Sequence, residues 1–102
     1  KGDNYMLDYA DIRIPACGVY LSDFGTVCDC SPKTRLRTCT GTTRYWSPEF
    51  YEKNYGQKVD VWAIGVVTYG LVNRTFPFKD EVGVKKKEPV FKVTAPDICK
   101  RF

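Results

Sequence analysis

Lys58-Val-Asp-Val-Trp-Ala-Ile-Gly-Val-Val-Thr-Tyr-Gly-Leu-Val72 is the stretch on which the fold turns. Val59, Val61, Trp62, Ile64, Val66, Val67, Tyr69, Leu71 and Val72 occupy every face of a helix drawn over it. A helix that is apolar all round is a buried one. The β-branched content also suits a buried strand, but fifteen residues exceed the usual strand length. The stretch therefore predicts a central buried helix over 58–72. It is too short to cross a bilayer, which takes about 20 apolar residues. Upstream, Ser47-Pro48-Glu49 reads as a helix start. Ser47 is placed to accept from a free N–H, Pro48 fits the first helical position, and Glu49 suits the positive end of the dipole. That helix runs to about Lys53, and Gly56 breaks it. Downstream, Phe76-Pro77-Phe78 closes the central helix. Lys85-Lys86-Lys87-Glu88 is a solvated charge run with a weak helix before Pro89. Thr94-Ala95-Pro96-Asp97 opens a last helix, giving late helices over 79–102.

Nearer the start, Tyr5–Leu7 and Val19–Leu21 are short and β-prone. They predict a hairpin over 5–22 with a long connection, Asp8–Gly18, of little regular structure. Ser22–Tyr45 is polar, Thr-rich and basic, without a period of 2 or 3.6. A loop of that length inside a small domain usually carries function.

Composition bounds the chemistry. The 102 residues fit one domain, and a hydrophobic fraction of 43% excludes a disordered chain. The net charge of +4 is spread along the chain, so no nucleic-acid partner is expected. With no histidine, His-based triads and His-ligated zinc are excluded within these residues. The five cysteines, Cys17, Cys28, Cys30, Cys39 and Cys99, do not close into a disulfide framework. Reduced thiols in an intracellular protein are the simpler state, and a secreted, partly disulfide-bonded chain is the other. Cys28-x-Cys30 with Cys39 could supply thiolates to zinc, though the spacing is tight and no second pair follows. Asn73-Arg74-Thr75 is a glycosylation sequon that matters only in a secreted chain.

Asp23-Phe24-Gly25 follows the second strand directly. An Asp at a strand end can hold a divalent metal, and a Gly after it permits a sharp backbone change. The hairpin brings the neighbourhoods of Asn4 and Asp23 together. An amide oxygen and a carboxylate converging on one point suit Mg²⁺. Lys1, three residues before Asn4, is placed to neutralise a phosphoryl oxygen.

Lys1-x-x-Asn4, Asp23-Phe24-Gly25, Gly41-Thr42-x-x-Tyr45-x-Ser47-Pro48-Glu49, Asp60-x-Trp62-x-x-Gly65 and Arg74-x-x-Pro77-Phe78 stand in that order. The series resembles the C-terminal lobe of eukaryotic protein kinases, of the serine/threonine branch. The resemblance covers nearly the whole chain and weakens after Lys79. It implies a kinase-like α+β fragment, mostly helical, with a short β-hairpin and a long activation segment over 23–49. Residues 1–4 would be the end of the catalytic loop.

By that resemblance Lys1 contacts the transferring phosphate of ATP, and Asn4 and Asp23 hold Mg²⁺. Phe24 and Gly25 complete the metal-aspartate motif. Thr42 orders the catalytic loop and helps place the substrate hydroxyl. Glu49 anchors the activation segment through an ion pair, and Asp60 holds the catalytic-loop backbone. Thr38 stands where many members carry an activating phosphate, which would face Arg35, Arg37 and Arg44. The implied partners are ATP and a protein substrate. Oligomeric state is not legible.

Departures also follow. The family's catalytic aspartate lies two residues before the lysine matched by Lys1, and its glycine-rich loop earlier still, so the 102 residues alone are expected not to catalyse. The Asp8–Gly18 connection, with Asp11, Arg13 and Cys17, is longer than the family's usual turn. The alternatives are a pseudokinase or interaction module, and a basic binding module using Lys85–Lys87 and the Arg-rich loop.

Overall fold

The computed structural model describes residues 1–92. The helix expected from Thr94 onward lies outside the described residues, as does Cys99. Regular structure consists of one antiparallel hairpin and three α-helices, joined by turns and extended segments. Helices outnumber strands, but loop and turn make up more of the described chain than helix does. That departs from the mostly helical chain expected. The cause is the run from Ser22 to Thr42, which forms no helix or strand.

The hairpin pairs β1 (Tyr5–Leu7) with β2 (Val19–Leu21), with Tyr5 opposite Leu21 and Leu7 opposite Val19. Its long connection is held at the neck by Asp8. The Asp8 carboxylate accepts from the Gly18 N–H at 3.1 Å and the Tyr20 hydroxyl at 3.3 Å. Further out, Arg13 grips the Asp11 carboxylate through two guanidinium nitrogens. That contact holds the Asp11 carboxyl below its ordinary range.

α1 (Pro48–Tyr51) starts at Ser47, but not by the cap expected. The Ser47 carbonyl takes the N–H groups of Phe50 and Tyr51, and its side chain makes no capping bond. The Ser47 hydroxyl is fully buried and has no partner among the described residues.

α2 (Lys58–Asn73) is the helix read from the central stretch. Its burial is one-sided rather than all-round. Val66, Tyr69 and Asn73 are buried at a helical spacing, whereas Val61, Ile64 and Leu71 stand 62%, 49% and 74% exposed. Among the described residues no element packs over that second face. Arg74 ends α2 in the left-handed conformation (φ 57°), its N–H donating to the Gly70 carbonyl at 2.8 Å. α3 (Glu81–Lys86) packs on α1 and is capped by Asp80, whose carboxylate accepts from the Gly83 N–H at 2.8 Å. Lys85 in its last turn pairs with Glu81 at 2.7 Å.

The core is small. Phe50, Tyr55, Val66, Tyr69 and Val84 are its apolar members. Asn73, 1% exposed, and Ser47 are its polar members. The Asn73 amide donates to the Tyr69 carbonyl at 3.2 Å and accepts from the Lys92 N–H at 2.9 Å. A buried amide committed at both ends is not offered as a glycan acceptor, which disposes of the sequon in this fold. Asn73→Ala would remove both bonds and leave the Lys92 N–H without this acceptor. We expect a loss of about 1–3 kcal/mol of stability, checked by urea denaturation of the wild-type and substituted chains.

Candidate functional site

Three segments meet at the open end of the hairpin. Lys1 leads into a single tight turn over Gly2–Asn4, closed by the Asn4 N–H on the Lys1 carbonyl at 3.1 Å. The Asn4 carbonyl then accepts twice from Ser22, from its N–H at 2.8 Å and its hydroxyl at 3.0 Å. That double bond continues the β1–β2 ladder by one rung and sets Asn4 beside the residue that precedes Asp23. Ser22 thus brings the backbone neighbourhoods of Asn4 and Asp23 to the same end of the hairpin.

Asp23 itself adopts φ 66°. A non-glycine residue in this region is uncommon, and Asp tolerates it better than most. The sharp backbone change falls on Asp23 and not on Gly25, which has no positive φ. A Cβ at Gly25 would lie 3.6 Å from the Asp23 Oδ1, an ordinary contact, so Gly25 stands beside the carboxylate without being required there. Phe24 is exposed.

The third segment is the Thr42–Tyr45 turn. Gly41 has φ 93°, a conformation for which glycine is the natural residue. Thr42 then opens a short 3-10 turn over Thr43–Tyr45, and the Tyr45 hydroxyl accepts from the Gly2 N–H at 3.3 Å. Behind it, Phe76 receives the Tyr45 ring edge-on at 5.6 Å, and the Arg44 guanidinium lies 4.9 Å above the same ring. The loop after α2 therefore braces the turn that braces Lys1–Asn4. Tyr45 was legible as a motif residue but not as the link to Gly2, because nothing local joins positions 43 residues apart.

Elsewhere the expected site residues are dispersed. Lys1 stands near Asp3, with 3.9 Å between nitrogen and carboxylate oxygen. Thr42 is exposed, as is Asp60 in the first turn of α2. Among the described residues Asp60 and Glu49 make no side-chain hydrogen bond or ion pair, so the anchoring roles implied for them have no visible partner here. Glu49 is half-buried at one side of a groove of about 640 Å³, lined also by Lys58, Val61, Trp62, Gly65 and Phe78. This larger hollow lies on α2, away from Asn4 and Asp23, and is almost wholly apolar. Thr38 is exposed, and its carbonyl accepts from the hydroxyl of buried Tyr55. Cys28, Cys30 and Cys39 are free thiols and, among the described residues, assemble no metal-binding cluster.

Among the described residues no helix is long and apolar enough to cross a membrane.

Comparison with known proteins now adds to the geometry. The model of the protein kinase domain matches residues 1–99. Serine/threonine-protein kinase pak-1 of Caenorhabditis elegans is 42% identical over 83 residues, 79% of this chain and 14% of the relative. Serine/threonine-protein kinase PEPKR2 of Arabidopsis thaliana is 36% identical over 72 residues, 70% of this chain and 15% of the relative. An Aurora kinase of Saccharomyces cerevisiae is 31% identical over 83 residues, 80% of this chain and 21% of the relative. The chain thus spans about a fifth or less of the length of these curated relatives. With the motif order along the sequence and the family match over nearly its whole length, the chain belongs to the eukaryotic protein kinase family.

Proposed function

We propose that the chain is the catalytic-loop end, activation segment and central helix of a serine/threonine protein kinase, which transfers the γ-phosphate of ATP to protein hydroxyls with Mg²⁺. One observation supports this reading: the two Ser22 bonds to the Asn4 backbone carbonyl set Asn4 opposite the residue that precedes Asp23, at one end of the hairpin. The donor set fits Mg²⁺. It is all oxygen, and two protein ligands suffice for an ion that keeps waters and phosphate oxygens around it. Neither Asn4 nor Asp23 spends its side chain on a hydrogen bond among the described residues.

When bound, the metal neutralises phosphate charge as the phosphoryl group moves. The rest falls to the chain itself. Lys1 supplies a positive charge to a phosphate oxygen, and its contact with Asp3 is exposed and weak enough to exchange. Thr42, on its turn braced by Tyr45, orients the acceptor hydroxyl. Residues 23–49 form the activation segment, with Thr38 as its phosphate acceptor near Arg35, Arg37 and Arg44. Glu49 and Asp60 act as positioning residues. Phosphoryl transfer depends chiefly on such placement and charge stabilisation.

The test is an assay of the full-length protein with ATP and a generic protein acceptor, followed by phosphoamino-acid analysis. We expect phosphoserine or phosphothreonine that disappears when EDTA removes the metal. Phosphotyrosine alone would move the protein out of the serine/threonine branch. Absence of transfer under every condition would leave the pseudokinase reading.

A further inference from the structure

Thr42 sits in a stretch that burial does not fix. Thr40, Gly41, Thr42 and Thr43 are all exposed. Exposed loop backbone opens easily unless something ties it. Here the ties come from α1 and the residues just after it. The Tyr55 hydroxyl donates to the Thr38 carbonyl, and the Tyr51 hydroxyl donates to the Thr43 carbonyl at 3.3 Å. Between them the half-buried Cys39 thiol donates to the Phe50 carbonyl at 3.6 Å. Both tyrosines are well seated. Tyr55 is buried, its ring lies 4.2 Å from that of Phe50, and it exchanges backbone hydrogen bonds with Leu36 at 2.8 and 3.2 Å. The Tyr51 ring is half-buried and meets Trp46 edge-on at 5.2 Å. Burial pushes both phenols up, so near neutral pH each keeps the proton that it donates.

We propose that Tyr51 and Tyr55 are positioning residues for phosphoryl transfer, their hydroxyls clamping the backbone on either side of Thr42. Their role rests on that of Thr42 as the residue that orients the acceptor hydroxyl. Between the two clamped carbonyls lies Gly41 at φ 93°, a residue with more backbone freedom than any other. Released at one end, such a stretch can pivot about the glycine. Held at both, it presents Thr42 in one orientation, which is what an acceptor must meet on binding. The two hydroxyls bond to the loop and not to Lys1, Asn4 or Asp23. The Thr43 carbonyl also accepts from the Trp46 N–H at 3.1 Å, so the turn that braces Gly2 survives loss of the Tyr51 hydroxyl. The clamp therefore acts on the protein acceptor and leaves the nucleotide side alone.

The experiment compares the full-length protein with Tyr51→Phe and Tyr55→Phe, which keep the rings and remove only the hydroxyls. It measures KM for casein as the protein acceptor, KM for ATP, and the rate of tryptic cleavage after Arg37 and Arg44. In each variant the acceptor KM should rise about 2–10-fold, the worth of one net hydrogen bond, with the ATP KM unchanged. Cleavage after Arg37 should quicken most in Tyr55→Phe, and after Arg44 most in Tyr51→Phe. A merely structural role would raise both KM values together, and that result overturns the proposal. So does a wild-type acceptor KM in both variants, or a rise in only one, since a clamp needs both ends. Thr42→Ala serves as the reference. If it raises the acceptor KM and the tyrosine variants do not, the clamp alone is wrong. If wild type transfers no phosphate, or Thr42→Ala leaves the acceptor KM unmoved, the role of Thr42 is wrong and the clamp falls with it. Where Tyr55→Phe fails to fold, Tyr51→Phe, on its half-buried ring, decides.

Discussion

Asp23→Asn in the full-length kinase is expected to lower kcat by about 10²–10³-fold or more, the cost of removing one group that stabilises transition-state charge. Asn is the informative replacement. Asp23 has φ 66°, and Asn accepts that conformation, whereas Ala would add a backbone penalty of about 1–2 kcal/mol. The Asn variant keeps the backbone, leaves Ser22 on the Asn4 carbonyl, and removes only the charge. A thermal melt superimposed on wild type, with phosphotransfer lost, would assign the effect to the carboxylate. Phosphotransfer equal to wild type at saturating Mg²⁺ would show that Asp23 is no metal ligand and that the proposed site is wrong.

The second large effect falls on stability. Phe50→Ala should cost about 3–5 kcal/mol, the usual range for emptying a buried aromatic site. Phe50 is 9% exposed, with its ring 4.9 Å from Trp46 and 4.2 Å from Tyr55. It is one of few apolar side chains buried to that degree among the described residues, so neighbours have little material with which to fill the hole. Small domains rarely have more than about 5–15 kcal/mol to lose. Phe50→Leu, which keeps most of the volume, should cost well under half as much. Urea denaturation of both variants against the parent protein checks the ratio. Equal, small losses would mean that this aromatic cluster does not hold the structure together.

What was legible in the sequence was what local chemistry determines. Short apolar and aromatic runs set the hairpin strands, and the apolar stretch after Gly56 set the long helix. Motif order pointed to the family before any fold was seen. What was not legible depended on contacts between distant segments. The one-sided burial of α2 cannot be read from a stretch that is apolar on all faces. Ser47 looked like a cap because its type and place were right, but its hydroxyl is buried and makes no capping bond. The turn at the metal-aspartate motif was assigned to Gly25 on propensity, whereas the strained φ sits on Asp23. For the site, Asn4 and Asp23 could be brought near each other by a hairpin argument. Ser22 and Phe76, which help fix their surroundings, carry no signal beyond ordinary polar or aromatic character, and Tyr45 gave none of its contact with Gly2.

The Tyr45 hydroxyl on the Gly2 N–H also bears on the order in which the molecule is assembled. That contact joins positions 43 apart, and the Arg44–Phe76 stack behind it joins positions still later to the same turn. Closing such long loops is entropically costly and slow compared with forming a helix or hairpin. The hairpin and α2 can form from neighbours alone. The brace on Gly2 cannot form until the chain as far as Tyr45 has been made and folded back, and its aromatic backing waits for Phe76. The turn that opens this stretch thus receives its last support late.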